Sequence, residues 1–316
     1  MSAEKSVLIF GVAGFVGGYL SKEFFLHGYT VYGSDTKPLF ESKYIARYLP
    51  CDLTDRRIVG EVCAELQPAY IVNLAAISSV SQSWNMPHAV MQVNVCGTLN
   101  IFEVAKELAT KPKILIVGSS EEYAASNLPL KETDAIDAAN PYGISKMAQE
   151  RFAEVYEERY GLKIFRTRSF NHTGVGQSPS FVLSSWCKQV AELEASQRSG
   201  YLRVGNVDVY RDFSDVRDVV RAYRLLIESS FSGEVFNIGS GRSLKLEDLA
   251  RSICSLSSRD IDICIDNDLL RPIDVPYICC DRTKAESLLR WIPRIDIEDT
   301  LKTMYENYMH AELDAK

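Results

Sequence analysis

An uncharged run, Ser6 to Phe10, passes without a break into Gly11-Val12-Ala13-Gly14-Phe15-Val16-Gly17, and no other feature of the chain narrows its fold as far. A continuous apolar run suits a strand buried on both faces. Tyr19, Leu20 and Phe24 then recur at helical spacing. Strand, glycine turn and helix start together describe a site where the backbone can approach a pyrophosphate and the helix N-terminus favours its charge. Gly11, Gly14 and Gly17, with Phe15 and Val16 in the first helical turn, are therefore candidate cofactor contacts. A Gly-x-x-Gly-x-x-Gly alone carries little weight, and the strand before and helix after give it meaning. The uncharged stretch from Ser6 to Ser21 is shorter than the ~20 apolar residues of a membrane span and holds four glycines, which excludes a membrane helix there.

A second strand, Thr30 to Ser34, ends at Asp35. An acid in that position binds the two ribose hydroxyls of an adenosine and repels a 2′-phosphate, which favours NAD(H) over NADP(H); Thr36 and Lys37 follow at once and leave NADP(H) open. The alternation continues through Tyr48 to Leu53, a helix from about Asp55 to Leu66, and Tyr70 to Ala76. Strands alternating with helices mean parallel βαβ units, so the expectation is an α/β protein with a Rossmann-type doubly wound parallel sheet. Asp52 and Leu53 fall where an adenine would lie, and Ala75 and Ala76 are small enough for a cofactor to cross the strand ends. A helix-capping acid and close core packing explain the same residues equally well. A long helix is expected from about Met86 to Ala109.

Chemistry concentrates between Gly118 and Lys146. The strand Ile114 to Val117 ends in Gly118-Ser119-Ser120-Glu121-Glu122-Tyr123, and Asn140-Pro141 reads as the cap and first residue of a helix. That helix places Tyr142 and Lys146 four apart on one face. A tyrosine ordinarily titrates at about 10, and an adjacent cation favours its phenolate, so the pair suits proton transfer. Ser119 can hydrogen-bond the same substrate oxygen. Taken alone, Tyr-x-x-x-Lys is equally a surface pair on an amphipathic helix; the upstream nucleotide pattern gives it a task.

The second half changes texture. A Gly-rich loop, Asn171 to Pro179, precedes a helix capped by Ser178-Pro179 and running to about Gln197. A strand near Tyr201 to Val204, a charged loop Arg211-Asp212-Phe213, a helix from about Asp215 to Glu228, a strand Val235 to Ile238 and helices at about Leu246 to Ser257 and Arg282 to Leu289 follow. The expected division is a dinucleotide-binding domain, 1–170 plus about 207–240, and a nucleotide-sugar-binding domain, about 171–206 plus 241–316, with the ligand cleft between them. Arg211 and Arg271 stand in loops where a guanidinium fork can reach phosphate oxygens; Asp212 and Asp274 are adjacent ion-pair partners that offer the alternative. With 46% apolar and 24% charged residues the chain is an ordinary globular one, and a net charge of −7 without a basic stripe excludes nucleic acid and an acidic membrane surface as partners. The eight cysteines show no metal-type Cys-x-x-Cys spacing, so no metal is expected, and they read as reduced residues of a cytoplasmic protein.

The glycine turn with Ser119, Tyr142 and Lys146 resembles the extended short-chain dehydrogenase/reductase family over essentially the whole chain. Asn171-His172-Thr173-Gly174 with Gly176-Gln177-Ser178-Pro179, Val204-Gly205-Asn206 with Arg211-Asp212-Phe213, and Leu270 to Pro276 are similar to its nucleotide-sugar branch, most of all to reductases of GDP-4-keto-6-deoxy-D-mannose. The resemblance implies NAD(P)H-dependent reduction of the C4 keto group to give GDP-D-rhamnose. It implies that Asn171, Arg211 and Arg271 hold the diphosphate and Asp274 the nucleoside, with Val182 and Lys188 as further substrate contacts, and that Tyr142 and Lys146 also contact the cofactor, Lys146 at the nicotinamide ribose. A lone histidine in a polar loop, His172 reads as a hydrogen-bonding scaffold. It further implies a homodimer that pairs the helices at about 86–109 and 142–160. A dehydratase of GDP-mannose is the nearest alternative: those enzymes carry Thr and Glu two apart where Ser119 and Glu121 stand, so Glu121 is a candidate base. Against it stand Ser119 in place of Thr and the wording of the 171–179 loop. A 4-epimerase, the epimerising GDP-L-fucose synthase and a regulator without catalysis fit less well, since the loop differs, Glu121 replaces a Cys, and both Tyr142 and Lys146 are present.

Overall fold

A computed structural model describes residues 5–270 and 275–314. In chain order, β1 (Ser6–Phe10) leads into α1 (Phe15–Leu26), followed by β2 (Thr30–Asp35), β3 (Arg47–Pro50), α2 (Arg56–Leu66), β4 (Tyr70–Asn73), α3 (Val80–Asn85) and α4 (Pro87–Val90). A π-helical segment, Met91–Cys96, joins α4 to α5 (Gly97–Ala105). Next come β5 (Lys113–Ser119), a single 3-10 turn (Ser120–Glu122), α6 (Pro141–Tyr160), β6 (Lys163–Ser169), β7 (Asn171–Thr173), α7 (Val182–Ala195), β8 (Gly200–Val204), β9 (Tyr210–Asp215) and α8 (Val216–Glu228). The chain closes with β10 (Val235–Ile238), β11 (Ser243–Lys245), α9 (Leu246–Cys254), β12 (Ile261–Ile265), α10 (Thr283–Leu289) and α11 (Ile297–Asp314).

Seven strands form one sheet in the order β10-β6-β5-β4-β1-β2-β3. Every pairing in it is parallel. Because the chain winds outward from β1 in one direction and then returns to continue from β4 in the other, the carboxyl ends of β1 and β4 border the crevice where ligands bind in such sheets. One face is covered by a core containing Leu20 and Phe24 of α1 and Val219, Tyr223 and Leu226 of α8. The opposite face is covered by α2 and α5 through Val59, Cys63, Ile101 and Phe102. A third core joins α7, α9 and α11 through Trp186, Val190, Leu249 and Met304. Val209 and Phe213 pack into this third core, whereas Val216 onward returns to the large sheet, and so do Ala285 and Trp291 from near the C-terminus.

Most elements arise as the local signals require. Asp55 caps α2 by accepting from the Arg57 and Ile58 amides, and Asp215 caps α8 through Arg217. Gly161, at φ +67°, ends α6. Three expectations are corrected, and one helix is added. The helix foreseen over 86–109 is interrupted by the π segment and ends at Ala105. Ser178-Pro179 does not cap α7: the Ser178 carbonyl accepts from Phe181 N and its hydroxyl from Ser180 N, so these residues form a turn and the helix starts at Val182. The strand expected over 70–76 stops at Asn73, whose side chain accepts from Ala75 N and turns the chain. The 18-residue α11, with Leu301, Met304 and Tyr305 facing the third core, was not foreseen.

Candidate active site

The glycine turn is shaped by close contact. Gly11 has φ +79°, a conformation that glycine adopts without strain, and a Cβ there would stand 2.6 Å from Ala75 N. A Cβ on Gly17 would stand 2.2 Å from the Val12 carbonyl oxygen, so α1 can lie against the turn only without one. Gly14 is the α1 N-cap and makes no side-chain cap bond, which leaves the first turn, with the half-buried Phe15 and Val16, without a side-chain cap and its amides aimed out of the helix end. Asp35, at the end of β2, accepts from Ala13 N at 3.1 Å and so reaches across to the same turn. These features fit a dinucleotide: a cradle that tolerates no Cβ, a free helix N-terminus and a carboxylate beside them. Asp52 bonds Thr54 N and Oγ1 at 2.9 and 2.8 Å, which makes it a turn former next to the site, and the buried Leu53 packs under Gly97. Ala75 and Ala76 lie half-buried just past β4.

Ser119, Tyr142 and Lys146 meet beside this cradle. Ser119 is the last residue of β5, and Asn140 caps α6 by accepting from Gly143 N at 2.9 Å, which fixes Tyr142 in the first turn. Lys146 is buried, its Nζ donating to Val117 O at 2.8 Å and standing 5.7 Å from the Tyr142 ring centroid. Burial pulls the Lys146 ammonium down to about 8, and the Glu122 carboxylate opposes that shift. Burial pushes the Tyr142 phenol up, against a hydrogen bond with Ser119, and Glu122, Glu121 and Tyr223 add to the rise. The phenolate expected from the neighbouring cation is therefore overruled by desolvation, and Tyr142 carries its proton at neutral pH. That is the form in which a proton donor must wait.

Glu121 lines a cleft next to this group, together with Ser120, Asn140, Arg211 and Tyr277. Its Oε2 accepts from Asn140 Nδ2 at 2.8 Å, so a carboxylate oxygen is already engaged by the α6 cap. Arg211 donates to the Tyr210 carbonyl at 2.8 Å and projects from β9 into the cleft wall. Asp212 is not its partner; that carboxylate is fully buried and accepts from Ser240 N, Gly241 N and Cys280 N. Asn171 opens β7 opposite Phe213, and Val182 packs on the third core at the start of α7. Lys188 is half-buried on α7 and pairs with Glu192 at 3.5 Å. Arg271 and Asp274 lie outside the described residues. His172 is half-buried, bonded to the Phe170 carbonyl at 3.2 Å and stacked on Phe15.

Two residues of the site were not singled out in the sequence. Asn94, fully buried in the π segment, accepts from Ile77 N at 2.8 Å and donates to Ser145 Oγ at 2.9 Å, tying the strand-end loop to α6. A π turn is a frequent mark of function, but nothing in the residue pattern announced it. Glu122, also fully buried, accepts from Ser119 N at 2.6 Å. Its place beside Glu121 in an acidic pair concealed it, since only the turn geometry decides which of the two points inward.

Parallel sheet, glycine cradle and the Ser119, Tyr142, Lys146 group define an NAD(P)-dependent oxidoreductase of the extended short-chain dehydrogenase/reductase class. Within it the chain belongs to the GDP-mannose 4,6 dehydratase family, whose model matches residues 8–304. A GDP-6-deoxy-D-mannose reductase of Pseudomonas aeruginosa is 29% identical over 260 residues, 81% of this chain and 85% of that one. A GDP-mannose 4,6-dehydratase of Yersinia enterocolitica is 25% identical over 352 residues, 95% of this chain and 92% of its own. Among solved structures, RMD from Pseudomonas aeruginosa complexed with NADPH superposes with a TM-score of 0.84 at 26% identity, covering 97% of this chain and 99% of that one.

Proposed function

We propose that the chain reduces the C4 keto group of GDP-4-keto-6-deoxy-D-mannose, giving GDP-D-rhamnose, with NADPH or NADH as reductant. The observation that carries the reading is the arrangement of Tyr142, in the first turn of α6, with Ser119 at the end of β5 and the buried Lys146, a constellation complete for one carbonyl reduction. When bound, the reduced nicotinamide supplies hydride to the C4 carbon. Tyr142 gives its phenol proton to the C4 oxygen, so the carbonyl becomes an alcohol and the phenolate is left next to the Lys146 ammonium. Ser119 donates a hydrogen bond to the same oxygen as charge develops on it. Arg211 faces the diphosphate from the cleft wall, with Asn171 nearby, and Arg271 and Asp274 complete the nucleotide contacts. The two cores divide this labour: the sheet holds the cofactor, and the α7, α9 and α11 core supports the sugar-nucleotide side.

Dehydration of GDP-mannose is the second reading, with Glu121 removing the C5 proton; the bond from Asn140 to Glu121 speaks against it. Mixing the protein with the keto sugar and NADPH or NADH, and in parallel with GDP-mannose alone, separates the two. Stoichiometric loss of reduced-nicotinamide absorbance with the keto sugar supports the reductase, and keto product from GDP-mannose overturns it.

The working form is a homodimer. Ile144, Phe152, Val155 and Tyr160 on α6 and Met91 at the start of the π segment are exposed by 38 to 49% and form an apolar face suited to pairing with a second copy. Among the described residues no helix is long and apolar enough to cross a membrane, and all eight cysteines are unpaired, which suits a cytoplasmic enzyme.

A further inference from the structure

Behind the Ser119, Tyr142 and Lys146 group lies a buried carboxyl that takes no part in the transfer of hydride or proton. Glu122 is 0% exposed. Its Oε1 accepts from Ser119 N at 2.6 Å, while Oε2 has no hydrogen-bond partner. A cation stands close, Arg168 Nε at 4.0 Å, but the bonds of that guanidinium go elsewhere: to Glu150 at 3.0 and 2.6 Å and to the Glu132 carbonyl at 3.1 Å. Space for the carboxyl is reserved by Gly118, where a Cβ would stand 2.4 Å from Oε1. A buried carboxyl with half its bonding capacity empty is a costly arrangement, and an apolar residue would fill the volume without that cost.

We propose that Glu122 is a positioning residue of the active site: from beneath the 119–121 turn its carboxyl fixes the Ser119 backbone and supplies the negative charge that keeps Lys146 an ammonium and Tyr142 a phenol as pH rises. The inference rests on the reductase reading. The charged and titratable groups around Glu122 are Tyr142, Lys146 and Glu150 on α6, Arg168 on β6, Glu121 and Tyr123 on its own turn, and Tyr223 on α8 behind Tyr142. Among the described residues two cations favour an ionised Glu122: Arg168, whose hydrogen bonds are taken by Glu150 and the Glu132 carbonyl, and Lys146, which stands in the catalytic group. Burial, reinforced by Glu150, raises the Glu122 carboxyl toward the range in which Lys146, lowered by burial, loses its proton. The anion thus arrives where Lys146 needs it, and it opposes ionisation of Tyr142 at the same time.

Glu122→Gln keeps the shape and the acceptor for Ser119 N but removes the charge. The alkaline limb of kcat/KM moves down by about one pH unit, because both Lys146 and Tyr142 lose their protons earlier. A second readout needs no cofactor or substrate. In the wild type the folded carboxyl holds a proton that the unfolded chain has already released, so stability falls as pH rises from the ordinary carboxylate range through about 8. The Gln variant lacks this loss, so its Tm gains on the wild type between pH 6 and 9. A limb that does not move, or Tm curves that stay parallel, overturns the proposal and leaves Glu122 a cap of the 3-10 turn. If E122Q does not fold, Glu122→Asp keeps the charge and must keep both the alkaline limb and the pH-dependent Tm; loss of both in E122D overturns the proposal equally. A wild type that fails to reduce the keto sugar sinks the reductase reading, while the Tm comparison still decides the role of Glu122.

Discussion

Asn94→Ala tests how the cofactor side of the site is tied to the catalytic helix. Asn94 Oδ1 accepts from Ile77 N at 2.8 Å, and its Nδ2 donates to Ile77 O at 3.2 Å and to Ser145 Oγ at 2.9 Å. Ser145 keeps its own donor bond to the Tyr142 carbonyl at 2.6 Å, so truncation strands mainly the Ile77 amide. Three lost bonds at roughly 0.5–1.5 kcal/mol each, with the penalty of the stranded amide included, give a loss of about 3 kcal/mol. That is a large part of the ~5–15 kcal/mol that holds a typical domain together. Urea unfolding measures it as a lower midpoint at unchanged slope. Because the 75–77 loop is no longer fixed to α6, KM for the cofactor rises together with the stability loss. A change below about 1 kcal/mol with an unchanged cofactor KM refutes the view that Asn94 is the tie between the two halves of the site.

Three other outcomes follow from the same geometry. Tyr142→Phe removes the proton donor while leaving the cradle intact, so kcat falls by about 10²–10⁴ with cofactor affinity, read by fluorescence titration, little changed. Gly17→Ala places a Cβ 2.2 Å from the Val12 carbonyl oxygen, a contact only backbone movement can relieve, so cofactor titration shows binding lost before far-UV circular dichroism shows the helices lost. The Lys146 ammonium, drawn down to about 8 by burial, is charged below that pH, so kcat/KM declines above it; the folded state sheds this proton between about 8 and the ordinary 10.5, so the same group makes stability rise with pH across that window. A flat rate profile between pH 7 and 9.5 contradicts the assignment of Lys146.

What the sequence determines is what short-range chemistry determines. β1, the glycine turn and α1 are legible because a fully buried strand must be apolar and Gly11 at φ +79° admits no ordinary side chain without strain. The α2, α6 and α8 starts are legible because Asp55, Asn140 and Asp215 each satisfy amides two or three residues away. Tyr142 and Lys146 share a face through helical periodicity alone. Tertiary structure decides what depends on neighbours distant in the chain. It engages Glu121 with Asn140 and turns Glu122 inward to Ser119, although the two acids are adjacent and chemically the same. It pairs Lys188 with Glu192 and makes Asp212 a loop anchor, since neither periodicity nor charge says which neighbours a side chain will meet. It also sets the protonation of the site: proximity to a cation, which the spacing of Tyr142 and Lys146 shows, is a smaller effect than desolvation, which exists only once the sheet, α6 and α8 have closed over the residues.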